Sequence, residues 1–337
     1  MAIEDFCSRV PSLENYWRAI VLFGRNVASY KFALAKTLLQ ITPQAGQLLK
    51  LSDLAPAFAG HIAEHLKLAD KQATSASSRF LDACRNYNSG EIDKEKLLSA
   101  TMQLGFNNVI DAFHVVGDDE IPMRFFIDER KQNQGIRITD EFSSLIVGTQ
   151  TANLNQEVES RWRLVETAWA LGVSRGLIGI DYDLDTESLF SIDRSFRRKP
   201  VTSCRGALNG YQKGRCFYCF RPILITADGD TDVDHFLPHS LKQFGFRTVD
   251  GVWNLVLSCR DCNQSKSARV PKATLLARLS RRNEFLIGSH HPLRETLIQQ
   301  TGATPSSRNA FLSDHRQKAI DRLIHEWEPE QCDEECF

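Results

Sequence analysis

Apolar residues in the first third of the chain recur at helical spacing. From Asn15 to Gln40, Trp17, Ile20, Val21, Val27, Tyr30, Leu34 and Leu38 fall mostly three, four or seven apart, which predicts an amphipathic helix. Gly24 interrupts that stripe and marks a candidate close contact between helices. A second helix is expected over Leu51–Ala69, with Pro56 delaying its start. Shorter ones are expected at Ser75–Tyr87, Asp93–Gln103 and Asn107–His114. The period then shortens, and Ile121–Asp128 and Gly135–Thr139 read as strands. A long helix follows over Asn153–Leu171, then two short strands, Leu177–Tyr182 and Leu189–Ile192. Helical patterns return at Lys272–Phe285, Arg294–Thr301 and Ser307–Trp327, and the acidic tail Glu326–Phe337 is expected to fray. The fold class is α+β.

Composition refines this picture modestly. The chain has 337 residues, 42% hydrophobic and 25% charged, as expected of a soluble globular protein with a substantial core. No run approaches the roughly 18 apolar residues of a membrane span. The opening Met-Ala-Ile-Glu-Asp-Phe-Cys lacks the basic and apolar regions of an export signal, so the expected location is cytoplasmic. In a reducing compartment, closely spaced pairs among the nine cysteines bind metal more often than they cross-link.

Charge changes the picture more. The net charge is −1, yet Arg194 to Arg282 holds 17 Lys/Arg against 6 Asp/Glu, a net of +11. A basic middle flanked by acidic ends points to a polyanionic substrate. It also sets the expected domains: a mainly helical region over 1–193, a chemistry-bearing domain over 194–285, and a helical extension over 286–337.

The chemistry lies inside the basic segment. Cys216-x-x-Cys219 and Cys259-x-x-Cys262 are separated by 39 residues. Each pair can point two sulfurs at one tetrahedral ion, so together they form a candidate closed structural Zn²⁺ site. Between the pairs stands Asp232-Val-Asp234-His235-Phe-Leu-Pro238-His239. Hydrolysing a phosphodiester takes an activated water and a cation at the phosphate. Imidazole suits the first task, and carboxylate or amide oxygens suit Mg²⁺ or Mn²⁺. Asp234 and His235 supply both types, and Asn263 is placed rigidly beside Cys262.

The run Asp234-His235-x-x-Pro238, Asn254-Leu255 and Cys259-x-x-Cys262-Asn263-x-x-Lys266 resembles the HNH endonuclease superfamily with its ββα-metal fold. Asn at the third position is similar to the HNH module of RNA-guided CRISPR effector nucleases. The resemblance spans about 60 of 337 residues. It implies that Asp234 and Asn263 bind the catalytic cation, that His235 is the general base, and that Asn254 holds the His235 loop through backbone hydrogen bonds. It further implies a structural zinc on the four cysteines and products with 5′-phosphate and 3′-hydroxyl ends. Lys266, Arg269, Lys272 and His239 are candidate nucleic-acid contacts, with Arg260 and Arg221 as weaker ones. Asp232 is a candidate support residue.

The expected function is a divalent-metal-dependent endonuclease acting on DNA, compatible with defence against foreign DNA. The alternatives are a zinc-stapled nucleic-acid-binding protein without catalysis and an RNA-directed nuclease. The acidic helical region 1–193 suits a protein partner or a regulatory role better than a DNA clamp. Two further patterns carry little. Asp228, Asp230, Asp232 and Asp234 alternate like a calcium loop, but Val233 and His239 stand where Gly and Glu are required. His61-x-x-Glu64-His65 fits a metalloprotease pattern without an identifiable third ligand.

Overall fold

The computed structural model describes residues 6–7, 11–23, 28–75, 77–117, 119–170, 180–192, 198–226, 229–246, 248–289 and 291–337. Gly24, the start of the strand expected at Leu177, most of the basic run Arg194–Lys199, and Asp228 lie outside them. The chain packs as two compact units, residues 3–172 and residues 173–337 with the first two residues. The charge shift at Arg194 thus falls within the second unit rather than at its edge.

The first unit is a helical body carrying a small sheet. Helices α1 (Leu13–Phe23), α2 (Tyr30–Ile41), α3 (Leu51–Leu68), α4 (Arg79–Asn88), α5 (Lys94–Ala100), α6 (Asp140–Val147) and α7 (Thr151–Ala170) supply most of it. The sheet is antiparallel, with β3 (Gly135–Ile138) between β1 (Leu48–Lys50) and β2 (Phe126–Glu129). Caps explain the helix starts: Ser78 accepts from the Leu81 N–H and Asp93 from the Lys96 N–H. Pro56 lies inside α3 rather than delaying it, and having no N–H it leaves the Ser52 carbonyl without its helical donor. Trp17 anchors the core, edge-on to Phe113 and Phe125. Buried Arg18 is neutralised by a two-pronged pair with Glu157.

The protease-like pattern dissolves here. Glu64 is exposed and pairs with Lys67, while His65 is buried, stacked on Trp162, and hydrogen-bonded to Glu166 and Glu159. His65 belongs to a charge network of the core. Among the described residues no helix is long and apolar enough to cross a membrane.

The second unit begins with an antiparallel sheet of β4 (Ile180–Asp183), β5 (Ser188–Ile192) and β6 (Arg198–Ser203), and helix α8 (Cys204–Gln212) follows. Next comes a hairpin of β7 (Thr231–His235) and β8 (Leu255–Cys259), which runs directly into helix α9 (Arg260–Lys266). Leu255, Val256 and Leu257 are buried, so β8 is an apolar run with both faces covered. Strand β9 (Val270–Pro271) and helices α10 (Ala273–Gly288), α11 (Arg294–Thr301) and α12 (Pro305–Leu323) close the unit.

The expectation of a frayed tail is wrong. Strand β10 (Glu326–Trp327) pairs in parallel with β9, and Cys336 and Phe337 are buried. Apolar anchoring outweighs the tail's charge. Trp327 packs edge-on against Tyr218, and the Phe337 ring lies 4.9 Å from Phe220 and 5.4 Å from Tyr211. Acidic side chains between these anchors pair with the basic body, Glu328 with Lys272 and Glu335 with Arg281. Phe337→Ala should therefore lower the stability of this unit by about 3 kcal/mol. Urea denaturation of the full chain checks this, and an unchanged midpoint would mean that the tail contributes no packing.

Candidate active site

The four-cysteine staple sets the frame. Cys216 and Cys219 sit in a tight turn in which the Cys216 N–H donates to the Arg221 carbonyl and the Phe220 N–H donates to that of Cys216. Phe220 takes the left-handed conformation to close it. The Phe217 N–H donates to the Leu257 carbonyl, tying this knuckle to β8. Cys259 ends β8 and Cys262 lies in the first turn of α9. All four cysteines are buried, and their sulfurs lie within 4.8 Å of one another.

This donor set fits zinc. Sulfurs about 2.3 Å from a tetrahedral ion stand about 3.8 Å apart, and the Cys219 and Cys259 sulfurs are 3.8 Å apart. The Arg221 guanidinium donates to the Cys259 sulfur at 3.2 Å. A guanidinium at that sulfur favours the thiolate, the form that ligates zinc.

The hairpin then sorts its side chains by face. In β7, Asp232 and Asp234 share the side facing α9, and His235, one residue on, lies on the other side. The Asn263 amide on α9 donates to Asp232 at 3.0 Å. Lys266, one helical turn further, donates to Asp234 at 3.0 Å. The Tyr218 hydroxyl, projecting from the first cysteine knuckle, donates to the other Asp234 oxygen at 2.6 Å. Burial pushes the Asp234 carboxyl upward, while the Lys266 ammonium and the Tyr218 hydroxyl pull it back.

On the opposite face, His235 is 5% exposed. Its Nε2 stands 3.2 Å from an Asp250 oxygen, and the His239 ring lies 5.1 Å away. Burial pushes the His235 imidazole down to about 4; Asp250 opposes the shift, and His239 and Lys266 add to it. The ring is therefore neutral at pH 7 and can accept a proton.

Asn254 is fully buried and works on the backbone. Its oxygen accepts from the Leu237 N–H at 2.8 Å, and its amide donates to the carbonyls of Leu237 and Val249 at 2.9 and 2.8 Å. One side chain thus ties the segment after His235 to the segment before Asp250.

The structure gathers the sequence-derived candidates into two groups. Asp234 and Asn263 lie on the α9 side, each held by a different partner, and His235 with His239 lies on the Asp250 side. No hydrogen bond among the described residues joins His235 to Asp234 or Asn263. Lys266 corrects the expectation of a phosphate contact, because it is 1% exposed with its ammonium on Asp234. A buried carboxylate needs a cation nearby, and Lys266 provides it. Arg269 and Lys272 are exposed, Arg269 folding back on the Ser265 carbonyl and Lys272 pairing with Glu328. Arg260 is exposed at the start of α9, whereas Arg221 is committed to Cys259 and Asp261.

Tyr218 and Asp250 belong to the site without having been singled out by sequence. Tyr218 lies within the Cys216–Cys219 knuckle, whose spacing marks only the two cysteines. Asp250 precedes Asn254 by four residues in a turn, with no spacing rule to mark it.

Comparison with known proteins agrees with this geometry. Residues 216–272 match the HNH endonuclease family, a span from the first staple cysteine to the residue before α10. Searches of curated proteins and of solved structures each returned no significant match. The match takes in the staple, the hairpin and α9 and runs on through β9, so residues 216–272 match an HNH endonuclease domain, a domain type that acts on nucleic acid, set on a four-cysteine cluster fit for zinc.

Proposed function

We propose that this domain is a divalent-cation-dependent endonuclease that hydrolyses phosphodiester bonds in DNA. The observation that carries the reading is the HNH match over residues 216–272, within which the buried imidazole of His235 directly follows Asp234 on the hairpin that faces Asn263. His235 accepts a proton from water as the oxygen attacks phosphorus. The bond from phosphorus to the 3′-oxygen breaks, leaving 5′-phosphate and 3′-hydroxyl ends. Asp234 and Asn263, with Asp232 beside them, are the oxygen donors that would hold Mg²⁺ or Mn²⁺. When bound, such a cation neutralises charge on the phosphate and the departing oxygen. Asn254 keeps the His235 segment in place, and exposed Arg269, Lys272 and Arg260, with half-exposed His239, offer contacts to the backbone phosphates.

End-labelled duplex DNA and a matched RNA, each incubated with Mg²⁺, Mn²⁺ or EDTA, test this reading. DNA cleavage with either metal and none in EDTA is expected. Preferential cutting of RNA would favour the RNA-directed alternative. Tight, salt-sensitive DNA binding without turnover would favour a binding module that has lost catalysis.

A further inference from the structure

We propose that Asp250 is the positioning residue for His235, selecting the tautomer in which Nδ1 is left to take the proton. This rests on the nuclease reading for its kinetic consequence, but its geometric content stands alone. An Asp250 oxygen lies 3.2 Å from Nε2 of His235. An ionised carboxylate only accepts hydrogen bonds, so the ring presents Nε2–H to it and keeps the lone pair on Nδ1. The ring has little freedom to turn away, since it is 5% exposed and meets Tyr182 edge-on at 5.8 Å.

Asp250 is itself built in. The preceding carbonyl, that of Val249, accepts from the Asn254 amide at 2.8 Å. The following Gly251 N–H donates to the Thr248 carbonyl at 2.9 Å, and the Gly251 carbonyl accepts from the Asn254 N–H at 2.9 Å. Gly251 has no room for a side chain, because a Cβ there would come within 2.5 Å of the Trp253 ring. Asn254 therefore holds both ends of the arrangement, the His235 segment through Leu237 and the Asp250 turn through Val249.

The other groups around Asp250 fit this role. The Lys242 ammonium pairs with its second oxygen, and Nε2 of His239 stands 3.5 Å from the first. A half-exposed Lys–Asp pair contributes little by itself. It does hold the carboxylate in place, and the ring faces the oxygen that Lys242 leaves for it.

As hydroxide forms its bond to phosphorus, the water's proton moves to Nδ1. The resulting imidazolium is stabilised by the Asp250 carboxylate across Nε2–H. The 3′-oxygen leaves with the electron pair of the broken bond and is protonated by solvent, and His235 then releases its proton to solvent.

Nitrogen-15 NMR of the full zinc-loaded chain tests the assignment, with the His235 ring identified by its loss in His235→Ala. In the wild type the ring should be the Nε2–H tautomer. In Asp250→Ala it should shift toward a mixture, and kcat on duplex DNA should fall about 10- to 100-fold with KM unchanged. Asp250→Glu should recover part of the loss. A wild-type ring protonated on Nδ1, or an Asp250→Ala protein with the wild-type tautomer and kcat, would overturn the proposal. Should the wild type cleave nothing, the nuclease reading falls, while the tautomer still decides the role of Asp250.

Discussion

Replacing Cys259 with serine is expected to unfold the HNH segment, and stripping zinc from the wild-type chain should do the same. Cys259 is the last residue of β8 and the residue from which α9 starts, so the staple fixes the junction of strand and helix. The same staple holds the knuckle that carries Tyr218, and through it one oxygen of Asp234. Structural zinc contributes on the order of 10 kcal/mol or more to small zinc-bound folds at neutral pH. A whole domain is stable by only about 5–15 kcal/mol. Losing one of four thiolates therefore consumes most of the margin, and the four buried thiols would repel one another as they ionise. Zinc content by mass spectrometry, with limited proteolysis around residues 216–272, checks this. A Cys259→Ser protein as protease-resistant as the wild type would remove zinc from the account of stability.

The second large effect is on chemistry. His235→Ala should lower DNA cleavage by about 10²- to 10⁴-fold, the range expected when a general base is removed. That corresponds to about 3–5 kcal/mol of lost transition-state stabilisation. The fold should survive, because the staple and the Asn254 backbone bonds do not involve the ring, and zinc content should be unchanged. Single-turnover cleavage of an end-labelled duplex, alongside a filter-binding measurement, separates loss of chemistry from loss of binding. A variant that binds less DNA but turns over the bound fraction at the wild-type rate would assign His235 to binding instead.

Much of this domain was legible in the sequence, for a physical reason. Metal ligands must sit at short, regular spacings, so two Cys-x-x-Cys pairs announce one site whatever lies between. What could not be read were contacts between side chains far apart in the chain. Lys266 reaches Asp234 across 32 residues, and nothing in its own neighbourhood distinguishes it from a surface lysine. The alternation of β7 places Asp234 and His235 on opposite faces, but sequence alone does not say what each face meets. The tail was misread because its acidic composition outweighed two aromatic residues whose partners lie over 100 positions away. Strand β6 went unseen for a similar reason, since Arg198–Ser203 lacks an apolar alternation and is paired through its backbone with β5. In the first unit, periodicity located the helices Leu51–Leu68 and Thr151–Ala170 well, but the single helix expected over Asn15–Gln40 is two, Leu13–Phe23 and Tyr30–Ile41, with Ala28 instead bridged to Ala73. Helix Asp140–Val147 was not expected, and caps such as Ser78 moved other starts by a few residues.

The most direct measurement is conversion of supercoiled plasmid by equal amounts of zinc-loaded wild-type and His235→Ala protein in Mg²⁺, with EDTA as control. Metal-dependent nicking is expected from the wild type and almost none from the variant. Equal conversion by both proteins, or wild-type cutting that persists in EDTA, would contradict the proposed mechanism.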